Sequence, residues 1–255
     1  MKILVSIKQV PDLESRFKLN EKGNWVVESD LAFRLNEYDE YAIEEAVRLK
    51  EKIGTDDVDI TVLSIGPERV KEVIKKALAM GIDRGIYIKD NEAFSKDPFR
   101  IATIIHECVK DHGYDIIFTG MQSNDRSSCQ VGVFLGELLG ISTITTIIGF
   151  EYNNNVVTVK RELEGGKKMV LKCRLPLLLT CQLGLNTPRY PTLPNIMKAK
   201  KKEIKEYDVN DFDKITNNIT ITKLNYPEKK SKAEFLEGSV SDIAPKLVKI
   251  IKSKI

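Results

Sequence analysis

Short apolar runs alternate with amphipathic stretches of period about 3.6 over the first half of the chain, the pattern of parallel strands joined by crossover helices. Residues 2–7 predict a buried strand. Residues 17–28, polar over 20–24 and alternating at Trp25 and Val27, predict a hairpin excursion. A helix follows, with Asn36 as its N-cap, Asp39 as the acid of its first turn, Ala42, Ala46, Leu49 and Ile53 as its buried stripe, and Gly54 as its stop. Residues 59–65, 85–89 and 115–119 predict further core strands. Between them lie a helix that begins after Pro67 and closes at Gly81, and one that Asp97 and Pro98 open. A polar loop over 120–128 then leads into an apolar helix over 129–139. Residues 143–152, 156–163, 168–175 and 177–182 read as β-runs with turn signals at 153–155 and at Gly165-Gly166, which predicts two hairpin turns in a mostly antiparallel edge.

Past Leu185, prolines at 188, 191 and 194 and the basic run that starts at Lys198 predict that no core element passes through. The fold class is therefore α/β: a doubly wound, mostly parallel sheet with an antiparallel edge and a C-terminal extended arm. Residues 1–190 form the α/β domain and 191–205 a proline-rich loop with a basic tether. Residues 206–255 form the arm, with a short strand near 219–224 and a closing amphipathic helix from about Ser241. Composition agrees: 255 residues, 42% hydrophobic and 30% charged, are enough for a real core. Lys+Arg 40 against Asp+Glu 37 leaves +3, too little to recruit nucleic acid or anionic lipid through net charge. No run reaches the roughly 18 apolar residues of a spanning helix, so no membrane insertion and a cytoplasmic location are expected. Cys108, Cys129, Cys173 and Cys181 form no CxxC pair and read as reduced thiols. His106 and His112 lack the i, i+4 spacing of a helical metal pair, and no metal site is expected. Neither GxSxG nor HExxH occurs.

In open α/β sheets ligands gather at the carboxyl ends of strands, where helix starts offer free N–H groups. The richest such exit here carries Gly120, Gln122, Ser123, Asn124, Asp125, Arg126, Ser127 and Ser128. Gly120 lets backbone approach a ligand, Asp125 suits a ribose hydroxyl, and Arg126 and the serines suit phosphate oxygens. The same residues also suit a plain helix-capping turn, and the spacing is neither GxGxxG nor GxxxxGK[ST]. The exits at Ser6 and Lys8 and at Ile65 are the other candidates. In the proline-stiffened segment, Tyr190, Leu193, Ile196 and Met197 read either as docking anchors or as a strap on the domain's own surface.

The ordered blocks VSIKQVPD, LNEYDEYAIEEAVRLKEK, ALAMGIDRGI, GMQSNDRSSCQVG, VKRELEGGKKMVLKCRLPLLLT and NTPRYPTLPNIMKAKKK, spread over residues 1–205, resemble the β subunit of electron-transfer flavoproteins. The resemblance implies a fold of the adenine-nucleotide-binding type and a heterodimer with a larger α subunit that holds the FAD. It also implies an AMP bound structurally in the β subunit, with a second FAD in its place in electron-bifurcating, NADH-linked members. Position by position, it assigns the nucleotide site to Ser6, Asn36, Glu37, Tyr38, Asp39, Ile65 and the loop from Gly120 through Gln122, Ser123, Asn124, Asp125, Arg126, Ser127, Ser128, Cys129 and Gln130 to Val131. Arg126 and Ser127 depart from the family's pattern and imply a more positive phosphate environment. The resemblance implies that Tyr38 and Leu13, the latter where some relatives have tyrosine, are the positions that face the partner's flavin. It also implies that Leu193, in Pro191-Thr192-Leu193-Pro194, is the recognition anchor that enters a pocket on an acyl-CoA dehydrogenase.

The function implied is electron carriage from acyl-CoA dehydrogenases or related flavoproteins to a quinone oxidoreductase or another acceptor, without catalytic side chains; oxidoreductase activity in its own right belongs only to the bifurcating version. A stand-alone adenine-nucleotide-binding protein is the rival of a different class. It would need a metal-binding or phosphate-activating constellation, which the sequence does not display.

Overall fold

The computed structural model describes residues 1–227, 233 and 235–254. It falls into two units, residues 1–223 and 224–255. In the first unit the strands are β1 (Lys2–Ser6), β2 (Gln9–Pro11), β3 (Phe33–Leu35), β4 (Asp59–Gly66), β5 (Arg84–Lys89), β6 (Ile116–Gly120), β7 (Ser142–Asn153), β8 (Val156–Glu162), β9 (Lys168–Arg174), β10 (Leu177–Cys181) and β11 (Ile204–Asp208). The helices are α1 (Glu37–Ile53), α2 (Lys71–Met80), α3 (Pro98–Val109), α4 (Val131–Leu139) and α5 (Leu193–Ala199). Nine strands make one sheet in the order β11-β5-β4-β1-β6-β10-β7-β8-β9. Every pair from β11 to β7 is parallel, and β7–β8 and β8–β9 are antiparallel.

Period-2 alternation divides the core. Ile3 and Val5 of β1 pack in one apolar cluster with Ala42, Ile43 and Ala46 of α1, while Leu4 packs in the other with Ile105 of α3 and Leu135 of α4. Helices thus cover both faces, and each fully buried Leu or Ile adds roughly 1.5–3 kcal/mol. The chain winds from β1 to β4 and β5 on one side and to β6 and β10 on the other, so the order reverses between β1 and β6.

The doubly wound class stands, with four corrections in detail. The fourth β-run, Leu177–Cys181, does not join the antiparallel edge. It enters between β6 and β7 as a parallel strand, because all five of its residues are buried and an unbroken apolar run fits a strand covered on both faces. Residues 191–205, expected as loop and tether, contain α5 and the start of β11. Thr192 caps α5 by accepting from Asn195 N, and Pro194 lies in its first turn, where a missing N–H costs nothing. Excursion 17–28 closes on one bridge, Leu19 to Val26, and forms no full strands. The strand expected near 219–224 is absent; Asn218 N and Ile219 N instead donate to Asp97 Oδ2. In the second unit, helix α6 (Val240–Lys252) starts at a capping box of Ser239 and Asp242.

Candidate functional site

At the carboxyl ends of β1 and β6, where α/β sheets open a crevice, lies a cleft. Its floor is set by the first turn of α1. Asn36 and Asp39 occupy the cap and first-turn positions read from the sequence, but their side chains serve the loop after β6. Asn36, 1% exposed, does not cap its own helix; its Nδ2 donates to Gln122 O at 2.9 Å and its Oδ1 accepts from Asn124 N at 3.0 Å. Asp39 Oδ2 accepts from Lys8 N at 2.7 Å and Oδ1 from Gly120 N at 3.0 Å, which ties together the exits of β1 and β6. Burial pushes the Asp39 carboxyl up to about 7, against the opposing pull of Asn36, the two backbone donors and the Lys8 charge. Only glycine fits at 120, since a Cβ there would collide with Asp39 Oδ1 and press to 2.8 Å from Tyr38 Cβ.

All of the expected nucleotide residues line this one cleft except Glu37, Tyr38, Asn124 and Ser127. Tyr38 stands behind the loop and accepts from Gln122 Nε2 at 3.0 Å, and Asn124 braces it through the backbone. Ser127 and Cys129 hold φ of 49° and 56°, the left-handed region, on the way into α4. Successive turns of this kind point N–H groups into a concavity, and the first turn of α4 carries no acid to claim them. Gly132 lets that turn lie against Thr119 and Thr180. The lining also includes the apolar residues Ile65, Phe94, Pro98, Ile101 and Ile105.

Several lining residues lie outside the expected set. Lys8 Nζ meets Asp125 at 2.6 Å and Ser123 Oγ at 3.3 Å, and burial lowers its pKa although Asp125 pulls the other way. The sequence marks Lys8 only as a strand exit, without a place in the nucleotide set. Trp25, Glu28, Phe33 and Arg69 form a further wall that no local pattern announces. Arg126, expected at a phosphate, lies with its guanidinium 5.0 Å from the Trp25 ring and donates to Phe94 O.

The family model described as electron transfer flavoprotein domain matches residues 23–212. The chain is 35% identical over 260 residues to the electron transfer flavoprotein subunit beta of Methylophilus methylotrophus, covering 98% of each chain. It is 36% identical to that of Bacillus subtilis (100% of this chain, 98% of the relative) and 37% identical to that of Bradyrhizobium diazoefficiens (97% of each). This chain belongs to the electron transfer flavoprotein β-subunit family.

The residues that this family membership makes of interest outside the cleft fall into two groups. Leu13 stands 56% exposed on the excursion after β2, and Tyr38 is half-buried at the start of α1. Tyr190 (91% exposed), Leu193 (79%), Met197 and Ile196 present a run of large apolar side chains along α5 and its approach. The segment is held at both ends. Arg189 donates from Nε and Nη2 to Glu44 at 2.8 and 3.0 Å and reaches Glu51 as well, while Ala199 is buried and Lys202 Nζ donates to Leu78 O. Among the described residues no helix is long and apolar enough to cross a membrane.

Proposed function

We propose that this chain is the β subunit of a heterodimeric electron-transfer flavoprotein. In this reading it serves transfer from an acyl-CoA dehydrogenase or related flavoprotein to a quinone oxidoreductase or another acceptor, and holds AMP structurally in the cleft between the ends of β1 and β6. One observation carries it: a cleft at the sheet's switch point, lined both by the start of α4 and by apolar Ile65 and Phe94, whose loop is fixed by Asn36 and Asp39. That mixed lining suits a ligand with both a phosphate and an apolar base. Family membership supports the electron-transfer part, and the relatives' printed name, subunit beta, supports a partner subunit.

FAD, held mainly by the partner, supplies the redox chemistry when bound. The residues of this chain bind and position. The α4 N–H groups and the left-handed turns at Ser127 and Cys129 receive the phosphate, Tyr38 and Leu13 stand toward the flavin, and Leu193 anchors the electron donor. No side chain of this chain reacts. Denaturing the purified assembly and weighing the released nucleotides tests this: one AMP and one FAD are expected, and ATP or an empty β site overturns it. Leu193→Ala is expected to slow reduction by the dehydrogenase about tenfold or more, with FAD content unchanged, since one buried Leu is worth roughly 1.5–3 kcal/mol. An unchanged rate removes the anchor.

A second reading places a second FAD in the β site, in an electron-bifurcating, NADH-linked assembly. It is favoured by the extension of the cleft past the loop to Gln9, Trp25, Phe33 and Arg69, where Gln9 Oε1 and Arg69 Nε are buried with no partner. Two FAD and no AMP per heterodimer is its expected result.

A further inference from the structure

Three segments distant in sequence meet in the lining of the cleft. Trp25 comes from the excursion between β2 and β3, Phe94 from the turn before α3, and Arg126 from the loop after β6. The Trp25 and Phe94 rings stack at 5.1 Å with planes 23° apart. Arg126 lies over the Trp25 ring at 5.0 Å, and its Nη2 donates to the carbonyl of Phe94. The excursion is pinned from behind as well: Trp25 Nε1 donates to Glu28 Oε1 at 2.9 Å, and Glu28 meets Arg69 at 3.1 Å.

We infer that Trp25 and Phe94, latched together by Arg126, are the wall that receives the ligand's planar base, and that Arg126 is a positioning residue of this wall and not a phosphate ligand. A guanidinium over an indole and on a carbonyl has one face and one edge engaged, which holds Arg126 to the two aromatic residues. Lys8 is another lining cation, and it is held beside Ser123 and Asp125. The inference rests on the nucleotide reading above and deepens it.

The test compares AMP and adenosine binding by calorimetry to the full-length assembly, first freed of its resident nucleotide, as wild type and carrying Arg126→Gln, Trp25→Ala or both. A wall acts on the base, so each single substitution is expected to weaken both probes alike, by about five- to tenfold, with little further loss in the double variant. If Arg126→Gln weakens AMP but spares adenosine, or if the two losses multiply, the latch is refuted. A readout free of ligand separates this from the nucleotide reading itself. Trp25 is the only tryptophan of the chain, so subtracting the emission of Trp25→Phe isolates its signal within the assembly. Arg126→Gln should shift that difference spectrum to longer wavelength, and an unshifted spectrum overturns the latch whatever the cleft holds. A wild type that binds neither probe sinks the nucleotide reading and leaves the spectrum to decide the latch.

Discussion

Asp39 spends both carboxylate oxygens on backbone donors from two strand ends. Asparagine at 39 would turn an N–H toward one of those donors, so Asp39→Asn is expected to cost about 1–3 kcal/mol in urea unfolding. The pH dependence follows from burial, which lifts the folded pKa from 3.8 to about 7. Between those values the folded chain holds a proton that the unfolded chain has released. The contribution of this carboxyl is therefore full below pH 3.8 and is lost as pH rises through 7. The margin of wild type over Asp39→Asn should be widest near pH 4 and narrow toward pH 8; a margin that widens with pH would show that the two N–H bonds outweigh burial. At this scale the sequence disclosed positions but not partners. Cap rules locate Asn36 and Asp39 at a helix start, yet they describe contacts within a few residues, whereas these side chains bond to Gln122, Asn124 and Gly120. Trp25, Phe94 and Arg126 were hidden for the same reason, since nothing in a hairpin's alternation or a loop's polarity says that they meet.

For elements, the outcome depended on whether a local rule had an exception at the position in question. Prolines 188, 191 and 194 argued against regular structure, and Pro194 nevertheless sits in the first turn of α5, the one place in a helix that tolerates it. The strand Leu177–Cys181 was found, but its neighbours were not, because its pairing is set by long-range packing and the preceding hairpins biased the assignment toward the edge. The pinning of α5 yields a prediction here. Arg189→Ala leaves Glu44 buried without its charged partner, and is expected to cost about 1–3 kcal/mol and to open the approach to α5 to limited proteolysis. Cleavage near residues 186–192 no faster than in wild type would show that the remaining contacts, those of Asn186 with Tyr41 O and Glu45 among them, hold the segment without Arg189.

For the whole molecule, periodicity carried most of the information. A period of 3.6 set between apolar strands permits few architectures, and the double winding around β1 follows once crossovers are right-handed. What remained illegible was strand order beyond β6, because apolar content does not encode neighbours. Stability should concentrate where the layers meet. Phe118 is fully buried in β6 and packs edge-on against Phe150 at 5.6 Å, so Phe118→Ala is expected to cost about 3–5 kcal/mol by chemical denaturation. A loss below about 1 kcal/mol would mean that the layers close over the vacated space.

Helix α1 holds the loop at Asn36 and Asp39 and, further along the same rod, receives Arg189 at Glu44 and Glu51. At 1.5 Å per residue those stations span about 22 Å. On the proposed function, a genetic lesion that merely tilts this rod, for example by enlarging Ala46 in its buried stripe, is expected to present two phenotypes at once, a leaky cofactor and a poor handshake with the donor. Classifying such alleles by either phenotype alone will misplace the defect.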